Sequence, residues 1–135
     1  MSWVLDSSLT LAWALPDEFS QKADKFLDQL TPDNIFWVPA LWWYEVSNAL
    51  LMAQQRKRIK EIHRLQAIDL LNQLPLQTDT PSFGIIRSIH ELAFAHTLSA
   101  YDASYLELAL RRGLGLATFD SRLKQAAVKA GLRTF

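Results

Sequence analysis

The feature that most restricts what this chain can fold into is its repeated switch between short apolar runs and stretches with helical spacing. Ser2-Trp3-Val4-Leu5 is an apolar run closed by Asp6-Ser7-Ser8, which fits a buried strand leading into an N-capped helix over Leu9 to Leu15, stopped by Pro16. Phe19, Ala23, Phe26, Leu27 and Leu30 recur at helical spacing and end at the turn signal Thr31-Pro32-Asp33-Asn34. Ile35 to Val38 then reads as a second strand. Ala40 to Gln55 holds good helix formers with no Gly or Pro, and a further helical stretch, Ile59 to Leu74, follows the charged Arg56-Lys57-Arg58, so the two form a helical hairpin. Leu76 to Thr78 is a weak strand, followed by helices at Phe83 to Ala95 and Ala100 to Arg112, the latter closed by Gly113. Leu114 to Phe119 reads as a strand, Asp120 as an N-cap, Arg122 to Ala130 as a helix ended by Gly131, and Leu132 to Phe135 as a last strand. Strands alternating with helices predict an α/β fold, a three-layer α/β/α sandwich around a mostly parallel sheet covered on both faces. No repeat or linker interrupts residues 1–135, which are expected to form a single domain.

Composition narrows the chemistry. Half of the 135 residues are hydrophobic and Gly plus Pro number only 9, a globular balance. With no cysteine, disulfide scaffolds, thiolate zinc sites and cysteine nucleophiles are excluded, so a metal site must use oxygen or imidazole. The longest apolar run, Ile35 to Tyr44, has 10 residues and includes Pro39, far short of the roughly 20 a membrane span needs. No basic residue precedes Asp6, so no signal peptide is read and a cytoplasmic location is expected, without membrane association. The formal charge of zero conceals a split: residues 1–53 carry seven acids and two lysines, a net −5, and residues 54–135 carry twelve bases and seven acids, a net +5. Such polarity suits a polyanion held over an acidic site, or simply solvated surface charge.

In an open parallel sheet, ligands bind beyond the carboxyl ends of the strands. Asp6 and Asp120 each end a strand, although each also precedes a helix, where Asp is a favoured cap. Asp102 follows Ser99 in a Ser-x-x-Asp capping pattern, which sets a third carboxylate at a helix N-terminus. Glu45 is harder to explain structurally. It shares a helix face with Leu41, Asn48, Ala49 and Met52, sits among Trp42, Trp43, Tyr44 and Val46, and has no Lys or Arg within a turn. It is therefore expected to be buried or nearly so, and paired with a distant Arg, protonated or metal-bound. Converging carboxylates need a hard cation between them, which suits Mg²⁺ or Mn²⁺. His63, His90 and His96 lack metal-ligand spacing and read as structural or surface residues. No glycine-rich phosphate loop or nucleophile elbow is present, and Gly113-Leu114-Gly115 reads as a helix stop.

Val4-Leu5-Asp6-Ser7-Ser8, Tyr44-Glu45-Val46-Ser47-Asn48-Ala49-Leu50, Tyr101-Asp102-Ala103-Ser104-Tyr105-Leu106-Glu107-Leu108-Ala109 and Ala117-Thr118-Phe119-Asp120 together resemble the PIN domain, in particular the VapC-type toxins of bacterial toxin–antitoxin pairs. The resemblance runs the length of the chain, in order. It implies a Rossmann-like sandwich and Mg²⁺-dependent endoribonuclease activity. Asp6, Glu45, Asp102 and Asp120 fall at the acidic positions, with Asp6, Asp102 and Asp120 as metal ligands. Ser7, Asn48 and Thr118 fall where relatives place supporting polar groups. Many relatives carry another acidic or polar residue after the fourth carboxylate, whereas here Ser121-Arg122 follows, which bears on a second metal position. The resemblance also implies an RNA substrate, a homodimer and a small antitoxin that covers the site.

Two further features fit this picture or a blander one. Arg56, Lys57, Arg58, Lys60 and Arg64 form the densest basic run, able to contact RNA phosphates or to lie as a solvated hairpin tip. Trp42, Trp43 and Tyr44, with Trp37 upstream, exceed what one buried helix face takes, and any exposed remainder marks a protein interface. Competing expectations are a PIN-like module that binds without catalysis, and a Mg²⁺-binding phosphoacceptor domain. The second would need paired acids after strand one, and Asp6 has no acidic neighbour.

Overall fold

A computed structural model describes residues 2–18, 20–29 and 31–135. The expected roles of Phe19 and Leu30 lie outside these described residues. The elements run β1 (Trp3–Leu5), α1 (Ser7–Ala14), α2 (Gln21–Leu27), β2 (Phe36–Pro39), α3 (Ala40–Gln55), α4 (Glu61–Asn72), β3 (Leu76–Asp79), α5 (Ile85–His96), α6 (Ala100–Arg112), β4 (Gly115–Ala117) and α7 (Ser121–Lys129). The α3 and α6 boundaries are those the sequence predicts. α4 is shorter at both ends, and α1 starts two residues earlier, directly after Asp6.

The four strands form one parallel sheet in the order β3-β2-β1-β4. Trp3 pairs with both Phe36 and Gly115, so β1 is central and buried along its whole length. This is why its residues are uniformly apolar and do not alternate. Strands β1, β2 and β3 step one way across the sheet, and β4 returns to the free side of β1. With right-handed crossovers, this puts α1 to α4 on one face and α5 and α6 on the other. The contacts agree: α1 meets α2, α3 and α4, while α6 meets α5, β1, β2 and β4. The direction of winding reverses between β1 and β4, and a cleft opens beyond the strand ends at such a switch point.

The core is aromatic at its centre. Phe26 packs edge-on against Trp3 and Phe36, at centroid distances of 5.4 and 5.6 Å. Trp42 is wholly buried, and its indole N–H donates to Thr10 Oγ1 at 3.3 Å, which ties α3 to α1. Gly113 caps α6 in the left-handed region at φ 65°, as expected. Gly115 serves a different purpose from a helix stop. A Cβ there would come within 2.6 Å of the Trp3 ring, so only glycine lets β4 close on β1. The expected last strand is reduced to a single parallel bridge, Leu116 to Thr134, with Leu116 N–H donating to Arg133 O at 2.8 Å. Arg133 instead spends its side chain on the Trp3 ring and the Ser2 carbonyl. Among the described residues, no helix is long and apolar enough to cross a membrane.

Candidate active site

Asp6 leaves the carboxyl end of β1 at the switch point and is only 4% exposed. It occupies the N-cap position of α1, yet its side chain caps nothing. Ser8 Oγ and Thr118 Oγ1 both donate to Asp6 Oδ2, each at 2.6 Å. Each hydroxyl is also an acceptor: Ser8 Oγ takes Phe119 N–H at 3.0 Å and Thr118 Oγ1 takes Asp120 N–H at 2.9 Å. The β4–α7 turn is thus wired to the Asp6 carboxylate through two oriented hydroxyls. Burial pushes the Asp6 pKa up, the two hydroxyls oppose that shift, and the charge of Asp120 adds to it.

Asp120 is a working cap, its Oδ1 accepting Leu123 N–H at 2.8 Å. Asp102 stands in the first turn of α6, where Ser99 is the cap and accepts the Asp102 N–H at 3.1 Å. Its carboxyl is half-buried and its pKa is raised, first by desolvation and then by the charges of Asp120 and Asp6.

Glu45 lies one turn beyond Trp42 in α3. The sequence predicts near-complete burial, but the group is half-buried, because the helix exposes Trp43 and Tyr44 and buries the stripe Trp42, Val46, Leu50 and Ala53. Nor does an arginine neutralise it. The hydroxyl of Tyr105, a fully buried side chain from α6, donates to Glu45 Oε1, and Ser7 also bonds the carboxylate. Desolvation raises the Glu45 pKa, the Tyr105 bond opposes this, and the charges of Asp6 and Asp102 raise it further. The Tyr105 hydroxyl is itself pushed far up by burial and by the Asp6 charge, so it stays a donor.

The fold therefore gathers Asp6, Glu45, Asp102 and Asp120 into one field of mutual repulsion at the strand ends. Among the described residues no ion pair reaches any of the four. Nor do three of them close around a point as a ready metal cage. Their chemistry still fits a hard divalent cation: the donors are all carboxylate oxygens, three have raised pKa values, and only hydroxyl and amide groups balance them.

The supporting positions separate. Thr118 is buried on Asp6, Ser7 bonds Glu45, and Asn48 is exposed with no side-chain hydrogen bond among the described residues. Ser8 and Tyr105 are the structural partners that sequence reasoning left unassigned. A buried tyrosine hydroxyl needs a hydrogen-bond partner, and that was the signal for Tyr105. The basic run lies at the far end of α3, about 16 Å along the helix from Glu45. There Arg58 is tied to Asp17 and Glu18 at 2.8 and 2.7 Å, and Arg64 to Gln54 and Glu61. The histidines are not gathered at the site. His63 Nδ1 accepts Lys60 N–H at 3.2 Å and His90 packs on Phe94.

Comparison with known proteins agrees with this geometry. Residues 3–129 match the PIN domain family. Ribonuclease VapC3 from Pyrobaculum aerophilum is 27% identical over 126 residues, covering 93% of this chain and 94% of that protein. The fold is similar to that of PAE2754 from the same organism, with a TM-score of 0.73 at 23% identity over 99% of this chain and 83% of that one. It is also similar to VapBC2 from Rickettsia felis bound to a DNA fragment from its promoter, with a TM-score of 0.72 at 12% identity over 100% and 98% of the two chains. The match spans all four carboxylates and every strand, and the chain belongs to the PIN domain family.

Proposed function

We propose that this protein is a divalent-cation-dependent endoribonuclease, the toxin of a toxin–antitoxin pair, and that residues 1–135 act as one catalytic domain in the cytoplasm. The observation that carries this is the gathering of four carboxylates, with no counter-cation among the described residues, at the switch point of a PIN fold. The name of the related ribonuclease supports the activity, and the VapBC complex with a similar fold supports a protein partner.

In this reading Asp6, Asp102 and Asp120 hold the ion, Mg²⁺ by preference and Mn²⁺ as a substitute. Once bound, it supplies Lewis-acid activation of water and neutralisation of charge on the scissile phosphate. The chain's own residues do the rest. Ser8 and Thr118 fix one oxygen of Asp6, leaving Oδ1 free of both hydroxyls. The α6 dipole favours Asp102 as an anion. Tyr105 holds one oxygen of Glu45, whose raised basicity fits it to orient water and take its proton. A new water–phosphorus bond forms as the bond from phosphorus to the 3′ oxygen breaks, leaving a 5′-phosphate and a 3′-hydroxyl.

Partner surfaces are available beside this site. α5 buries no residue completely, and Ile86 and Phe94 on it, with Phe83 and Tyr101 nearby, are exposed. An apolar cleft of about 270 Å³ lies between α5 and α6, lined by Leu41, Pro81, Ile85, Ile89 and Tyr101 among others. Homodimerisation and antitoxin binding both fit this face, with Tyr44 exposed on α3. The deciding experiment is cleavage of total RNA with Mg²⁺ by wild type and Asp102→Asn, with the cut ends mapped. Cleavage by wild type alone, with 5′-phosphate ends, supports the proposal. Equal cleavage by both, or by neither, overturns it.

A further inference from the structure

The RNA-hydrolysis reading leaves open how the strand is gripped, and the basic run at Arg56 to Lys60 is poorly placed for it. A second basic feature lies beside the carboxylates. A polar cleft of about 320 Å³ is lined by His96, Thr97, Arg122, Gln125, Ala126 and Lys129, with no carboxylate among them. Arg122, Gln125 and Lys129 share one face of α7, and the Arg122 and Lys129 side chains are exposed, with no ion-pair or hydrogen-bond partner among the described residues. Seven residues of helix separate the two cations by about 10 Å, enough for a short run of backbone. The cleft is joined to the site at both walls. Arg122 lies two residues after Asp120, the cap of α7, and Thr97 lies two residues before Ser99, the cap of the helix that carries Asp102.

We propose that this cleft is a binding subsite for the sugar-phosphate backbone of single-stranded RNA next to the scissile phosphate, a role that rests on the reading of the carboxylates as an RNA-cleaving site. Arg122 and Lys129 take phosphate oxygens, while Thr97 and Gln125 offer neutral donors and acceptors suited to phosphate and 2′-hydroxyl groups, and the His96 ring adds a further hydrogen-bonding group. Cations left unpaired in a cleft without acids gain most from a polyanion. Arg58 and Arg64, in contrast, already hold partners within the chain.

The test is fluorescence anisotropy with a labelled single-stranded RNA oligonucleotide over a salt series, using the full chain as Asp102→Asn so that cleavage does not intervene. The charge-neutral pair Arg122→Gln/Lys129→Gln, on an exposed helix face, is expected to weaken binding at least tenfold and to flatten the salt slope by about 1.4, the value for two lost phosphate contacts. Arg56→Gln/Lys57→Gln is expected to leave both within twofold, and circular dichroism melts verify that each variant folds. An unchanged affinity and slope in the α7 pair, or the loss appearing in the hairpin pair instead, overturns the subsite. If wild type still cleaves RNA in that case, only the subsite falls. If the protein neither binds nor cleaves RNA, the catalytic reading falls with it.

Discussion

Asp6 and Asp79 invite comparison because they start from the same circumstances. Each stands at the carboxyl end of a parallel strand, and they are 4% and 5% exposed. Asp79 accepts four hydrogen bonds from the guanidinium groups of Arg111 and Arg112, at 2.6 to 3.1 Å. Arg111 also holds Glu107, and Arg112 lies 3.6 Å over the Trp37 ring. This cluster is a closed ionic clasp between β3 and the end of α6. Asp6 has two hydroxyls and the Ser7 backbone N–H, none of them charged, and its charged neighbours are acids. The Arg111 bonds hold the Asp79 pKa below its ordinary value, whereas burial holds that of Asp6 above it. The chain can thus neutralise a buried acid with its own cations, and at the β1–β4 switch point none of the described cations pairs with Asp6.

The comparison breaks most visibly in activity. Asp102→Asn is expected to lower RNA cleavage by about 10³-fold, as loss of a preorganised electrostatic group does. The same substitution removes repulsion from Asp120 and Asp6, so the metal-free melting temperature should hold or rise by about 2–4 °C. A variant that loses both activity and several degrees of stability would make Asp102 a structural acid like Asp79. Adding Mg²⁺ sharpens the contrast: wild type should gain about 2.7 kcal/mol at a concentration of 100 times Kd, and Asp102→Asn much less, as differential scanning calorimetry can show.

In the clasp the sign reverses. Asp79→Asn leaves two guanidinium groups without their acceptor and should cost about 2 kcal/mol, read as a loss of roughly 6 °C in the melting temperature, whether or not a divalent ion is present. A divalent-ion dependence of that loss would refute the division of the molecule into two kinds of acid.

The response to pH separates the two regions within one protein. For Asp6, Glu45 and Asp102 the folded pKa lies above the unfolded value, so the folded chain binds more protons in that interval. Metal-free stability from these groups is fully present below about pH 4 and is lost as pH rises through their folded values. Asp79 has the opposite shift, so its contribution is present above about pH 4 and lost as pH falls through its folded value. Asp102→Asn should flatten the loss on the alkaline side, and Asp79→Asn the loss on the acid side. Identical changes in the two difference curves would contradict the assignment. The smallest effect is expected for Ser8→Ala, which removes one of the two hydroxyls on Asp6 Oδ2 and should reduce cleavage several-fold at unchanged KM, about 1 kcal/mol. A change in KM alone would place Ser8 in substrate binding.

Local pattern carried much of the fold because strands and long helices are written in neighbouring residues. The bounds of α3 and α6 follow from Gly and Pro punctuation, from Ser99 as a cap and from Gly113 at the close. The shortened α4 and the single bridge at Thr134 depend on packing partners far along the chain, which periodicity does not encode. In the site, four acids could be picked out by position and by the apolar setting of Glu45, but the partner of Glu45 could not. Tyr105 lies 60 residues away and reads as one more apolar helix residue. The same limit applied to the cations. A contiguous basic run at Arg56 is visible in sequence, whereas the α7 cleft joins residues from two helices and a loop.

The sequence by itself determined the alternation of strands and helices, the exclusion of thiolate from any metal site, and the positions of Asp6, Glu45, Asp102 and Asp120, since each depends on residue type and short spacing. Only the tertiary structure decided which buried acids receive a counter-ion. Asp6 and Asp79 are both acids that close an apolar strand, and nothing local distinguishes them. The distinction comes from the crossing of α6, which carries Arg111 and Arg112 to β3 and presents Asp102 and Tyr105 at its other end. Charge compensation acts across space at a few ångströms, and only the folded chain sets those distances.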